Sequence, residues 1–137
     1  MKKTIAIILA LLVVMIASSA FAADIEVSVY GESVKFDQAP EIIDGVLMLP
    51  FRYIVEKMGA KVTWNEETRT VFSELNDSFL TLQIDNKTAF LGSDAVELEN
   101  APIIVNSRTL VPAAAIETLS QASVEWNETE MAVTITK

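Results

Sequence analysis

Apolar and polar residues alternate from the start of the region after residue 22. Ile25, Val27 and Val29 are separated by polar residues, which is the period of a half-buried strand. Gly31 interrupts the run, and Ser33 to Phe36 resumes it as a hairpin partner. Asp44-Gly45 is a turn signal, and Val46 to Leu49 reads as a short apolar strand. The pattern then changes period. Phe51, Ile54, Val55 and Met58 recur at helical spacing. Pro50 suits the first helical position, where its missing N–H costs nothing, and Gly59 suits the stop. Alternation returns at Val62 and Trp64, breaks at Asn65-Glu66-Glu67-Thr68, and resumes from Val71. Further on, Leu80, Leu82 and Ile84 alternate, Asp85-Asn86 turns the chain, and Ala89 to Leu91 returns.

The pattern then recurs. Shifted by 62 residues, the segment from Val34 to Phe72 lies over Val96 to Thr134 without a gap, and 12 of 39 positions are identical. Unrelated segments of ordinary composition would share roughly two or three. Pro40 falls on Pro102, Pro50 on Pro112, Ile54 on Ile116, Ala60 on Ala122 and Trp64 on Trp126. Upstream, Gly31 pairs with Gly92 one residue out of step. An internal duplication of this kind organises the chain before any single motif does. In the second copy Arg108 to Val111 is the strand, Pro112 the helix start, and Ile116 and Leu119 the helix anchors. Its stop is weaker, because Ser120-Gln121 stands where the first copy has Met58-Gly59. The predicted fold class is α+β: two tandem repeats of antiparallel strands with one short helix each, packed as one or two small lobes. Repeat one covers about 25–75 and repeat two about 79–137.

The remaining residues read as a targeting segment. Lys2 and Lys3 precede an apolar run of 13 residues, Ile5 to Ala17, and Ala20-Phe21-Ala22 offers small residues where a signal peptidase reads. The run is short for a bilayer core, which needs about 20 apolar residues. Residues 1–22 are therefore expected to be a signal peptide cleaved near Ala22-Ala23. Residues 23–137 would then form the mature domain, secreted or cell-wall associated, with no stable membrane insertion. No cysteine follows the apolar run, which excludes lipoprotein-type attachment.

Charge narrows the partners. Ten basic and 19 acidic residues give a net charge of −9, and loss of Lys2 and Lys3 makes it −11. Such a surface repels phosphate backbones, so nucleic acid is not an expected partner. Weak binding of divalent cations is compatible with it, also as a bridge to anionic envelope polymers. Histidine and cysteine are both absent. That removes the usual zinc and copper ligands and any Ser-His-Asp or Cys-His nucleophile. No cofactor is expected.

The ordered motifs carry a family resemblance. Ala39-Pro40, Leu49-Pro50, Gly59-Ala60 and Val62-Thr63-Trp64-Asn65 occur in the first copy. Ala101-Pro102, Arg108-Thr109-Leu110-Val111-Pro112 and Val124-Glu125-Trp126-Asn127 occur in the second. In this order, and twice, they resemble the copper amine oxidase N-terminal-like domain, from about Ile25 to Ile135. That family is a small secreted or cell-envelope module of Firmicutes-type bacteria. The family's Asn-Gly-Arg-Thr before Leu-Val-Pro appears here as Asp44-Gly45-Val46-Leu47 and Asn106-Ser107-Arg108-Thr109. Its early helix arginine is Arg52 in the first copy but Ala114 in the second. The resemblance implies a non-catalytic module, because the copper ligands and the quinone-forming tyrosine of the oxidases belong to other domains.

Glu66 with Glu67, and Glu128 with Glu130, could serve a secreted hydrolase as paired carboxylates, but adjacent turn residues face water and lack the desolvation that separates two pKa values. Trp64 and Trp126 could stack on wall sugars, yet they share a strand face with Val62 and Val124 and are expected to pack inward. Asp77, Asp85 and Asp94 do not form a calcium-loop pattern. The reading is a non-catalytic secreted or cell-envelope module that binds an envelope polymer or protein, with Trp64 and Trp126 as its candidate binding residues. A self-associating stalk is the structural alternative, because each repeat leaves strand edges to pair.

Overall fold

The alternating segments form thirteen strands in a computed structural model that describes residues 24–137. The expected signal segment, residues 1–22, lies outside those residues. In chain order the elements are β1 (Glu26–Val29), β2 (Glu32–Val34), β3 (Glu41–Ile43), β4 (Val46–Pro50), α1 (Phe51–Lys57), β5 (Lys61–Asn65) and β6 (Thr70–Leu75). Then follow β7 (Ser78–Gln83), β8 (Thr88–Leu91) and β9 (Asp94–Glu97). The chain ends with β10 (Ile103–Val105), β11 (Arg108–Pro112), α2 (Ala113–Ser120), β12 (Ser123–Asn127) and β13 (Ala132–Thr136). The strands make three sheets, ordered β12-β13-β1-β2, β10-β11-β4-β3 and β5-β6-β7-β8-β9. The α+β class holds.

One pairing departs from the antiparallel expectation. β1 lies parallel to β13, with Val27 opposite Val133 and Val29 opposite Ile135. All four side chains are buried, so the first and last strands close one sheet by joining their apolar faces. Alternation marks each strand but says nothing of which strand lies beside it. Three short strands, β3, β9 and β10, also escape the periodic reading. Ile42 and Ile104 point outward from β3 and β10, so neither strand shows an apolar face alternating with a polar one.

The helix boundaries show how the proline and glycine signals act. Pro50 and Pro112 each precede their helix rather than opening it, and they end β4 and β11. Their φ values, −63° and −60°, fit a helix, but ψ of 107° and 152° keeps both extended. Gly59 ends the first helix segment with φ +100°. Gln121 holds the corresponding place after α2 in the left-handed region, φ 61°. Its N–H donates to the Glu117 carbonyl at 2.8 Å, so the cap forms with a residue that pays a steric cost for it.

The middle sheet joins the two similar segments. β4 and β11 run antiparallel, with Leu49 opposite Val111, Leu110 opposite Pro50 and Pro112 opposite Met48. Leu49 and Val111 are 62 positions apart, so the pair is made by matching residues, and both are fully buried. α1 and α2 start directly beyond this pair and touch each other. One apolar cluster gathers Leu49, Ile54 and Val71 with Val111, Ile116 and Val133. Truncation at its centre is expected to unfold the whole described region as one unit. Leu49→Ala should cost about 2–5 kcal/mol in urea denaturation, through a single transition seen alike by far-UV dichroism and tryptophan fluorescence. In the opposite direction, Gln121→Gly should raise stability by about 1 kcal/mol in the same assay, by removing the left-handed penalty.

Candidate functional site

Each tryptophan sits at the head of a hairpin. Four residues separate Asn65, the last of β5, from Thr70, the first of β6, and the same spacing holds from Asn127 to Ala132. Asn65 Oδ1 accepts a hydrogen bond from the Thr68 N–H at 3.2 Å, and Asn127 Oδ1 accepts from the Glu130 N–H at 3.0 Å. Arg69 and Met131 take matching left-handed conformations, φ 51° and 53°. The asparagine reaches three residues on, so it braces the loop across its whole width.

The indoles then diverge. Both are half-buried against the rim of the apolar cluster, on β5 and β12, which belong to different sheets. Trp64 Nε1 donates to Glu66 Oε2 at 2.6 Å, which fixes the ring plane. Among the described residues Trp126 makes no such bond to Glu128. Trp64 also borders a groove of about 340 Å³. Its floor is Phe51, Val62 and Val71 from the first segment, and its far wall is Ile104, Ser107, Arg108 and Thr109 from the β10–β11 hairpin. Arg52 and Glu66 complete it. Trp126 lies instead on an open surface beside Glu125, Glu128 and Glu130. Glu66 and Glu128 thus line separate surfaces and do not meet in one cleft.

Both arginines bordering the groove face a carboxylate, and Glu66 accepts from the Trp64 indole. The Arg108 guanidinium grips Asp37 through Nε at 3.1 Å and 3.2 Å and through one terminal nitrogen at 2.6 Å. It also stacks 5.1 Å from the centroid of Tyr53, whose ring meets Phe36 edge-on at 5.8 Å. Arg52 donates to the Val62 carbonyl at 3.3 Å and approaches Glu56 at 3.7 Å. These arginines were the part of the site that residue type alone did not flag. The available signal was positional, since Ala114 and Val46 stand 62 residues away from Arg52 and Arg108.

The side chains that usually ligate copper are missing from the sequence. The chain has no histidine or cysteine, and no three carboxylates among the described residues converge on one point. Among the described residues no helix is long and apolar enough to cross a membrane.

The described residues form three mainly antiparallel sheets with two short helices. Residues 28–135 match the family described as copper amine oxidase N-terminal domain, and the chain belongs to that family. In the oxidases this is a non-catalytic accessory domain. No curated protein is matched by the chain.

The Asp37–Arg108 contact gives the site a pH signature. The hydrogen bond from Arg108 holds the Asp37 carboxyl below the usual carboxylate range, against a smaller opposing effect of burial. The folded state therefore prefers the ionised acid. Its stabilisation is complete above the unfolded value of about 3.9 and is lost as pH falls through the lower folded value. Thermal melts from pH 6 to pH 2 should show Asp37→Asn melting below wild type at pH 6. The gap should close as the acid limb is reached. A gap constant across that range would mean that the contact stabilises independently of the ionised acid.

Proposed function

We propose that this protein is an exported, cell-envelope binding module that performs no catalysis and holds an envelope saccharide in the Trp64 groove. The observation that carries the reading is the indole fixed by Glu66 at the border of a groove with an apolar floor. A sugar ring offers an apolar face for stacking and hydroxyls around its rim. Trp64 supplies the flat surface, the free carboxylate oxygen of Glu66 can accept a hydroxyl, and the guanidinium N–H groups not already engaged can donate to ring or hydroxyl oxygens. Arg52 and Arg108 each already face a carboxylate. A neutral polyhydroxylated ring therefore suits the groove better than a strong anion.

Export rests on the charged start, the apolar run and the Ala-Phe-Ala signal in residues 1–22. The absence of cysteine agrees with a chain that needs no particular redox compartment. The two segments are read as one hairpin–helix–hairpin unit used twice, related by a local two-fold between Leu49 and Val111. The element order β3-β4-α1-β5-β6 recurs as β10-β11-α2-β12-β13, and matching residues pair at the joint. On this reading the groove is shared, with its floor from one unit and its wall from the other.

The chain has two tryptophans, so Trp126→Phe leaves emission reporting from the groove alone. Titration of that variant with soluble fragments of purified cell walls is expected to give a saturable shift. Trp64→Ala should weaken retention on intact walls by about tenfold or more, a loss of about 1.4 kcal/mol, with and without calcium. Retention that is unchanged in Trp64→Ala, or lost in Trp126→Phe instead, would place the binding elsewhere.

A further inference from the structure

The five-stranded sheet has an uncovered apolar face. Its inner side buries Val71, Leu80, Leu82 and Ala89, with α2 packed on β6 and β7. On its outer side one row of directly opposed residues crosses all five strands: Thr63, Phe72, Thr81, Phe90 and Ala95. Phe79 stands in the next row, opposite Glu74. Phe72, Phe79 and Phe90 are 44%, 53% and 42% exposed.

The fold does not demand this face. The first four-stranded sheet has an outer row at the corresponding place, and there it reads Glu125, Thr134, Ser28 and Ser33. Thr134 stands 62 positions after Phe72. The same hairpin can therefore present water-compatible residues, and in the five-stranded sheet it presents phenylalanine. An apolar patch of a few hundred Å² is the largest a monomer commonly exposes, and such patches are often functional.

We infer that the Phe72–Phe79–Phe90 face is a self-association surface on which a second copy of the chain packs sheet to sheet. Phenylalanine has no polar handle for the hydroxyls of a glycan, and a flat sheet face is best matched by another about 10 Å away. The charges at the margin are self-complementary. Lys61 lies on edge strand β5 in the row of Glu74 and Phe79. Glu97 lies on the other edge strand, β9, opposite Thr88 and on the far side of the central row, and Thr88 Oγ1 donates to it at 2.6 Å. Lys61 and Glu97 thus occupy opposite corners. A two-fold axis lying in the face, oblique to the strands, sets Lys61 of each copy against Glu97 of the other. At about 4.8 Å between strands and about 3.4 Å per residue, the face is about 24 by 17 Å. Two such faces bury roughly 800 Å², below the range of stable specific interfaces and in that of weak encounters. The dimer is therefore weak and concentration-dependent.

Sedimentation equilibrium of the purified protein from about 1 to 500 µM tests this directly, with a dissociation constant expected on the order of 10–100 µM. Substitution of Phe72, Phe79 and Phe90 by Thr keeps β-compatible residues on the face, and unchanged far-UV dichroism verifies that the variant folds. It should shift the midpoint by tenfold or more. Lys61→Glu and Glu97→Lys should each weaken the dimer, and the double exchange should restore it. Three results would overturn the inference. One is a wild-type chain that stays monomeric throughout, including one whose phenylalanines instead bind walls or vesicles. The second is a dimer that persists unchanged in the triple variant. The third is a double exchange no tighter than either single variant.

Discussion

The antiparallel contact between β4 and β11 is the constraint on which the remaining structure depends. It places Leu49 against Val111 in full burial, and a helix leaves from each end of the paired stretch. Each segment alone would be a marginal folding unit, because small units bury a smaller share of their surface. Joined at this pair, they share one cluster that also takes in the closing strands β1 and β13. The groove has the same origin. Its Trp64 border and its β10–β11 wall come from distant parts of the sequence, and only the β4–β11 joint brings them together.

Polar contacts reinforce the joint at its margins. Asn106 Nδ2 donates to the Gln38 side chain at 2.6 Å, and Asn100 Nδ2 donates to the Ile43 carbonyl at 2.9 Å. Gln38 and Asn100 are 62 positions apart, so each segment reaches into the other from the same place. Edge strands receive a related treatment. Arg52 covers the Val62 carbonyl of β5, and Glu117 accepts the Val124 N–H of β12 at 3.2 Å. An edge backbone group engaged by a helix side chain is less available to pair with another chain, which turns association away from the edges and toward sheet faces.

Much of this architecture was legible in the sequence because burial imposes a period. Val27 and Val29, Leu80 and Leu82, and Ile54 with Val55 announce their elements through positions that must face inward. The hairpin heads were legible for a local reason, since asparagine braces its own loop. What escaped was relational. The parallel neighbour of β1 lies at the opposite end of the chain, and no short window contains both. β3 and β10 escaped because Ile42 and Ile104 face outward, which breaks the rule that alternation reports. The expectation that both tryptophans simply pack inward was incomplete. Each does rest against the cluster, but only Trp64 has a bonded carboxylate beside it and a groove in front. The Trp64-Asn65-Glu66 triplet recurs unchanged at Trp126, so local sequence could not distinguish the two. The difference lies in what the other segment places opposite.

Divergence between matching positions is therefore more informative here than identity. Identical residues such as Ile54 and Ile116, or Val71 and Val133, are buried, and their sameness reflects a core that admits few alternatives. Buried pairs that differ, such as Leu49 and Val111, exchange one apolar residue for another, whereas several exposed pairs change chemical character. Arg52 against Ala114 and Arg108 against Val46 separate the groove from its counterpart, and Phe72 against Thr134 separates the two outer faces. A surface position free of packing demands gains nothing from an exposed phenylalanine and loses solubility by it. The bonded arginines lie on α1 and β11, the fixed indole on β5, and the phenylalanines on β6, β7 and β8. The second hairpin, β12–β13, carries the acidic and hydroxylated residues that keep an unpartnered surface in water. Both segments contribute to the one apolar cluster, and it is in their exposed residues that the two hairpins differ most.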